Sequence, residues 1–222
     1  THSSFVANKL GLENLLLLDN HNIVRIAKLD SAEFFKRIAG YDTLRLILCK
    51  KAILVEGDSD ELVVQKAYMC NNNGRLPIQD GIDVISVGTS FLRFLELASI
   101  LNKKVSVVTD NDGDPNALKT KYSDYLGDNK QPNINICYDE TVDTGILKIG
   151  EKNYNYNTLE PKLLKANSLN LFNLIFGTQY ANEDDLRKYM KHNKTECAMA
   201  IFNTSETIVF PNYIMEAISD NE

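Results

Sequence analysis

The sequence predicts an α/β fold: a mostly parallel sheet flanked by helices, with a small helical subdomain at the carboxyl end. Three observations carry this reading. From Lys51 onward, short apolar runs alternate with segments of helical period, the pattern of strands joined by covering helices. Two of those runs, 52–55 and 105–109, stop abruptly at turns rich in acids and glycine. Beyond Thr158 the chain reads as short helices only.

Taken in order, residues 1–50 form a lead-in. It holds an apolar stretch at 15–18, a strand at 23–27, and a helix that opens at Asp30-Ser31 with Glu33 in its first turn and ends at Gly40. The alternating region then gives strands at 52–55, 81–87, 104–109 and 133–138. Between them lie helices at 59–69 and 91–101, and a polar helix that starts at Asp114-Pro115 and runs to about residue 126. Residues 139–157 carry turn chemistry and an Asn/Tyr-rich run, which suits a hairpin or an ordered loop. Helices follow at 159–165, 169–175, 183–192, 194–202 and 211–218.

Composition narrows the class. Hydrophobic residues make up 44% of the 222 residues and charged residues 24%, enough apolar matter for a core and too much for disorder. A formal net charge of -6 argues against binding nucleic acid through a broad basic surface. Carboxylates gathered on metal ions would, however, present a far less negative face to a phosphate. Cys49, Cys70, Cys137 and Cys197 are scattered without a CxxC pair or histidines at zinc-ligand spacing, so they read as reduced core thiols of a cytoplasmic protein. No apolar run reaches the length of a membrane span, and the start lacks both the features of a signal peptide and an initiator Met, as in a piece of a longer protein.

The chemistry concentrates at two strand ends. In Val55-Glu56-Gly57-Asp58-Ser59-Asp60-Glu61, a buried strand delivers Glu56 to its carboxyl end, Gly57 permits the turn, and Asp60 falls in the first helical turn. Asp58 and Ser59 serve equally well as plain helix caps. In Thr109-Asp110-Asn111-Asp112-Gly113-Asp114-Pro115, Asp110 and Asp112 can face one side of the loop. The carboxyl ends of parallel strands share one edge, so Glu56 and Asp110 can converge there. Four carboxylates with no cation among them would repel one another, and hard oxygen donors suit magnesium. An EF-hand is excluded, because its sixth position is Pro115 instead of Gly and its twelfth Lys121 instead of Glu. A phosphatase-type nucleophile leaves the first acidic segment unexplained, and neither GxxxxGK[ST] nor GxGxxG occurs.

A strand ending in Glu-Gly with an acid four residues after the Glu, together with a later strand ending in Asp-x-Asp, resembles the Toprim fold. This Rossmann-like fold is shared by topoisomerases, DnaG-type primases, RecR-like proteins and OLD-family (overcoming lysogenization defect) nucleases. Three further segments are similar to the carboxyl-terminal part of an OLD-family ATP-dependent endonuclease, including Gabija-type proteins. Thr1-His2-Ser3-Ser4-Phe5 resembles the switch-histidine segment of an ABC-type ATPase domain, Thr158-Leu159-Glu160 the acidic element after the Toprim strands, and Lys194-Thr195-Glu196-Cys197-Ala198 a late helix bearing a lysine near the metals.

The resemblance implies that 1–50 lead in from an ATPase domain, 51–165 form the Toprim catalytic domain and 166–222 a helical subdomain. It implies a nuclease using two divalent cations, Mg2+ or Mn2+, with Glu56, Asp60, Asp110, Asp112 and Glu160 as ligands, and Glu56, Asp110 and Lys194 as the catalytic residues. Either Asp60 or Glu61 supplies the second acid of the first motif. ATP would enter only through the preceding ATPase domain. The implied partners are DNA, further copies in a dimer or higher homo-oligomer, and an accessory protein of a phage-defence system, with no membrane. A non-catalytic Toprim module and primase or topoisomerase chemistry stay open as alternatives. By residue type alone, Lys194 is an ordinary solvated lysine and Glu160 a helix-start acid. The basic run 187–194 is either a guide for DNA or a solvated helix face. The helical tail packs on the sheet or serves a dimer interface.

Overall fold

The computed structural model describes residues 14, 16–19, 22–25 and 41–219. Its centre is a four-stranded sheet in the order β4-β3-β5-β6, formed by β3 (Lys51–Val55), β4 (Ile82–Ser86), β5 (Lys104–Val108) and β6 (Ile134–Cys137). Every pairing in it is parallel, with Val55 beside Ser86 and Ala52 beside Val105. All residues of β3 are buried, as expected of a strand covered on both faces. Side chains alternate across a strand, and this splits the core in two. Ile53, Val55 and Val108 face one cluster, and Ala52, Leu54, Val105 and Val107 face the other.

The covering elements are α1 (Tyr41–Leu48), α2 (Asp58–Asn71), α3 (Phe91–Leu101) and α4 (Pro115–Lys121), followed by α5 (Leu159–Ala166), α6 (Leu169–Phe176), α7 (Glu183–His192), α8 (Lys194–Asn203) and α9 (Asn212–Ile218). Two antiparallel hairpins complete the described residues: β1 (Leu16–Asp19) with β2 (Asn22–Arg25), and β7 (Ile146–Ile149) with β8 (Lys152–Asn155). Among the described residues, no helix is long and apolar enough to cross a membrane.

The expected strands and helices from 51 onward appear within a residue or two, with one clear difference. The helix that opens at Asp114-Pro115 stops at Lys121 and gives way to 3-10 turns at Ser123–Tyr125 and Gly127–Asn129. Tyr122 at that break is fully buried against Phe91, and burying it bends the chain out of the helix. The cysteines are free, but Cys70 is exposed and Cys49 half-buried, so only Cys137 and Cys197 are core thiols. The helix expected between Asp30 and Gly40 and the segment around His2 lie outside the described residues.

The helical tail packs on the sheet. α8 lies against α2, and α9 lies against α2, β5 and β6. Leu186, Met190, Ile201 and Ile214 share one cluster with Ile53 and Val55. Sheet and tail should therefore unfold together. Ile214→Ala, at a fully buried position, is expected to lower stability by about 2–5 kcal/mol while urea unfolding keeps a single transition. Separate transitions for tail and sheet would contradict the shared core.

Candidate metal centre

The site begins where β3 ends. Gly57 is extended (φ -138, ψ 173) and caps α2, and its N–H donates to Asp60 Oδ2 at 2.9 Å. That bond turns the Asp60 carboxylate back towards the strand end that carries Glu56. Successive helical residues differ by about 100° around the axis, so Glu61 faces elsewhere. Its carboxylate meets the Arg45 guanidinium at 3.2 Å, which also binds Asp83 at 2.8 Å and the Val84 carbonyl at 2.6 Å. Of the two neighbouring acids, Asp60 faces the site and Glu61 is occupied by Arg45.

After β5 the chain makes a tight loop through left-handed backbone at Asp112 (φ 50) and Gly113 (φ 84). An aspartate tolerates that region better than most residues, and the glycine has no steric cost there. Asp114 then caps α4, accepting from the N–H groups of Asn116 at 3.1 Å and Ala117 at 3.0 Å. Between the two site acids, the buried Asn111 side chain points into the protein. Its Nδ2 donates to the carbonyls of Asp139 and, at 3.2 Å, Thr141, while its Oδ1 accepts from Gly113 N–H at 2.9 Å. Asn155 on the β7–β8 hairpin donates to the Asp112 carbonyl at 3.0 Å. Asn157, also buried, exchanges two bonds with the Asp143 backbone at 2.7 and 3.0 Å.

Lys162, only 4% exposed, closes this bracing from below. Its ammonium meets Asp139 and Asp143 at 2.7 Å each and the Thr141 carbonyl at 2.8 Å, which uses all three of its protons. Burial alone would lower its pKa, but the two carboxylates raise it, so it stays charged. These bracing residues were not singled out from the sequence. The Asn-rich run at 153–157 was legible as turn chemistry, and nothing local shows which loop it holds.

Glu160 comes from the first turn of α5 and is buried. Lys194, the first residue of α8, reaches it at 2.9 Å. Glu56, Asp60, Asp110, Asp112, Glu160 and Lys194, every site residue expected from the sequence, line one cavity of about 400 Å3, and Lys191 lines it with them. Burial pushes Asp60 up to about 6, helped by Glu160 and Glu56 against the pull of the Gly57 N–H. Burial, then Asp60, Glu160 and Asp112, raises Asp110 well above the usual carboxylate range, despite a backbone hydrogen bond from Leu159. For Lys194, burial works downward, but Glu160, Asp60 and Asp110 outweigh it and raise the pKa. Tyr213 on α9, buried and with its pKa raised by burial and by Asp110 and Asp60, stands close to the same acids, and no local sequence pattern marks it.

Among the described residues, no three His, Cys, Asp or Glu side chains form a ready-made ion-binding cluster. Three of the acids are held by other partners, Asp60 by Gly57, Asp110 by the Leu159 backbone and Glu160 by Lys194. The donor set itself fits a hard divalent cation. It is carboxylate oxygen without a cysteine or histidine, and burial, with like charge added, makes two of its members resist ionisation.

Two measurements follow from this geometry. A carboxyl whose folded pKa lies near 6 binds more protons folded than unfolded between about pH 4 and 6. In EDTA, the stability that Asp60 contributes should therefore be present at the acid end of that window and lost as pH rises through it. Urea midpoints for Asp60→Asn should fall less across the window than those of the parent, and parallel profiles would count against the assignment. Asn111→Ala removes the bonds to two carbonyls and to Gly113, and is expected to cost about 1–3 kcal/mol by denaturant unfolding.

The comparisons agree with this architecture. A family model described as the TOPRIM domain of overcoming lysogenization defect protein-like proteins matches residues 47–112, which contain Glu56, Asp60, Asp110 and Asp112. Among solved structures, the C-terminal region of the Burkholderia pseudomallei OLD protein aligns with a TM-score of 0.53 at 20% identity, covering 77% of this chain and 95% of that one. The C-terminal region of the Xanthomonas campestris pv. campestris OLD protein aligns with a TM-score of 0.52 at 20% identity, covering 78% and 92% respectively. None of the curated proteins compared matches the chain. At such identities the structures speak for the fold, and the family model speaks for the segment that bears the first acids. Residues 47–112 therefore match an OLD-like Toprim domain, and the chain shares its fold with the C-terminal regions of these two OLD proteins.

Proposed function

We propose that this chain is a metal-dependent DNA endonuclease, hydrolysing phosphodiester bonds with Mg2+ or Mn2+ held by Glu56, Asp60, Asp110, Asp112 and Glu160. The observation that carries this reading is the meeting of these acids, from the ends of β3 and β5 and the start of α5, in one cavity that also holds Lys194. An OLD-like Toprim domain supports a nuclease-type activity in general.

The chain's own groups divide the work. Asp60 and Asp110 sit deeper, and Glu56 and Asp112 are exposed at the mouth, where a phosphodiester would arrive. When bound, the cations would supply Lewis-acid activation of water and of the leaving oxygen. Lys194, kept charged and held at the cavity by Glu160, offers positive charge to the phosphate as negative charge builds in the transition state. With a net charge of -6 on the chain, affinity for DNA has to come from such local cations. In a longer protein, this reading adds an ATPase domain preceding the lead-in 1–50, through which ATP acts, assembly into a homo-oligomer, and a role in phage defence with an accessory protein.

The test is cleavage of supercoiled plasmid with Mg2+, Mn2+, Ca2+ or EDTA. Glu56→Ala and Asp110→Ala are expected to abolish metal-dependent cleavage, and Lys194→Ala to slow it by about 10²–10³-fold. No cleavage with any of the ions, or cleavage that survives both acid substitutions and so does not arise at this site, would move the reading to a non-catalytic Toprim module.

A further inference from the structure

The basic run 187–194 is divided by its contacts. Arg187 binds Glu183 at 2.6 Å and Asp184 at 2.9 Å within its own helix, and its guanidinium lies 4.3 Å from the Tyr156 ring centroid. Lys188 is paired with Asp185 at 2.9 Å, His192 Nδ1 is 2.8 Å from the Lys188 carbonyl, and Lys194 is held by Glu160. Lys191 differs. It lines the acidic cavity, yet forms no ion pair with a carboxylate among the described residues, and its ammonium stands 4.7 Å from the centroid of the Tyr154 ring.

A flexible ammonium beside so many carboxylates would ordinarily fold onto one of them. The ring face offers an alternative attraction, worth about 0.5–1 kcal/mol at an exposed site, and the C-terminal end of α7 favours a cation in that turn. The ring is also fixed relative to the acids. Tyr154 belongs to the hairpin whose Asn155 holds the Asp112 carbonyl, and Tyr156 OH donates to Asp184 on α7 at 2.6 Å. The hairpin thus joins the Asp-x-Asp loop to the helix that carries Lys191.

We propose that Lys191, propped by the Tyr154 ring, forms a phosphate-binding subsite for the nucleic-acid strand, taking a backbone phosphate next to the one met by Lys194 and the acids. The subsite takes its substrate class from the nuclease reading. It recognises phosphodiester charge and carries no base information, so its contribution is the same for any sequence. It also explains how a strand approaches an acidic cavity in an acidic protein: one unneutralised cation stands at the rim, held off the carboxylates by an aromatic face.

The test measures binding of a fluorescein-labelled DNA duplex to the 222-residue chain by anisotropy, in EDTA, across a salt series. Lys191→Ala is expected to weaken binding several-fold at low salt and to reduce the slope of log K against log salt by about 0.9, one phosphate contact. Lys191→Arg should restore both. Tyr154→Phe, which keeps the ring, should match the parent, and Tyr154→Ala should follow Lys191→Ala. Lys188→Ala removes the same charge from outside the cavity and should leave the slope near the parent's. The proposal is overturned by a Lys191→Ala slope equal to the parent's, by Lys188→Ala lowering it as much, by Tyr154→Phe binding as weakly as Tyr154→Ala, or by a parent that does not bind at the lowest salt. Because no cleavage is read, an inactive parent that shows the Lys191 effect sinks the nuclease reading alone. An active parent without that effect sinks the subsite alone.

Discussion

Carboxylates repel one another, and a fold that gathers Glu56, Asp60, Asp110, Asp112 and Glu160 around one cavity has to hold them against that repulsion. Much of the surrounding structure can be understood as the answer. Parallel strands bring two acidic loops to one edge, because their carboxyl ends all lie on the same side of the sheet. The backbone N–H of Gly57 takes Asp60, a backbone bond from Leu159 takes Asp110, and Lys194 takes Glu160. What these partners leave uncompensated appears as the raised pKa of Asp60 and Asp110, the two acids that burial and like charge act on together.

The bracing behind the Asp-x-Asp loop is polar and buried, which makes it demanding. An unsatisfied group there would cost more than a bond elsewhere returns. Asn111, Asn157 and Lys162 meet that demand by converging on the segment 139–143 from two loops and a helix. The loop is thereby positioned by groups distant in sequence, and a left-handed residue such as Asp112 can be kept in place without a strand or helix of its own.

The helical tail is part of the same solution. It covers one face of the sheet with α9 and backs α2 with α8, and it delivers Lys191, Lys194 and Tyr213 to the neighbourhood of the acids. The cations reach the cavity from the opposite end of the chain to the first acidic motif. Removing the tail would strip the site of its positive charge as well as part of its core.

The sequence by itself determined the alternating architecture and the acids at the strand ends. Apolar periodicity and Glu-Gly and Asp-x-Asp turns are local patterns, and backbone geometry follows from them over a few residues. Glu160 and Lys194 were legible only through family resemblance, since an acid at one helix start and a lysine at another look like ordinary surface residues. Tertiary structure alone decided the rest. Asp60 is turned to the cavity by the Gly57 N–H, while Arg45, on a different helix, takes Glu61 away from it. Lys191 stands apart from its basic neighbours because acids within α7 pair with Arg187 and Lys188, while a ring on the hairpin holds Lys191. Such choices depend on which charge finds which partner across the fold, and a partner brought near by packing leaves no mark at the spacing of residues along the chain.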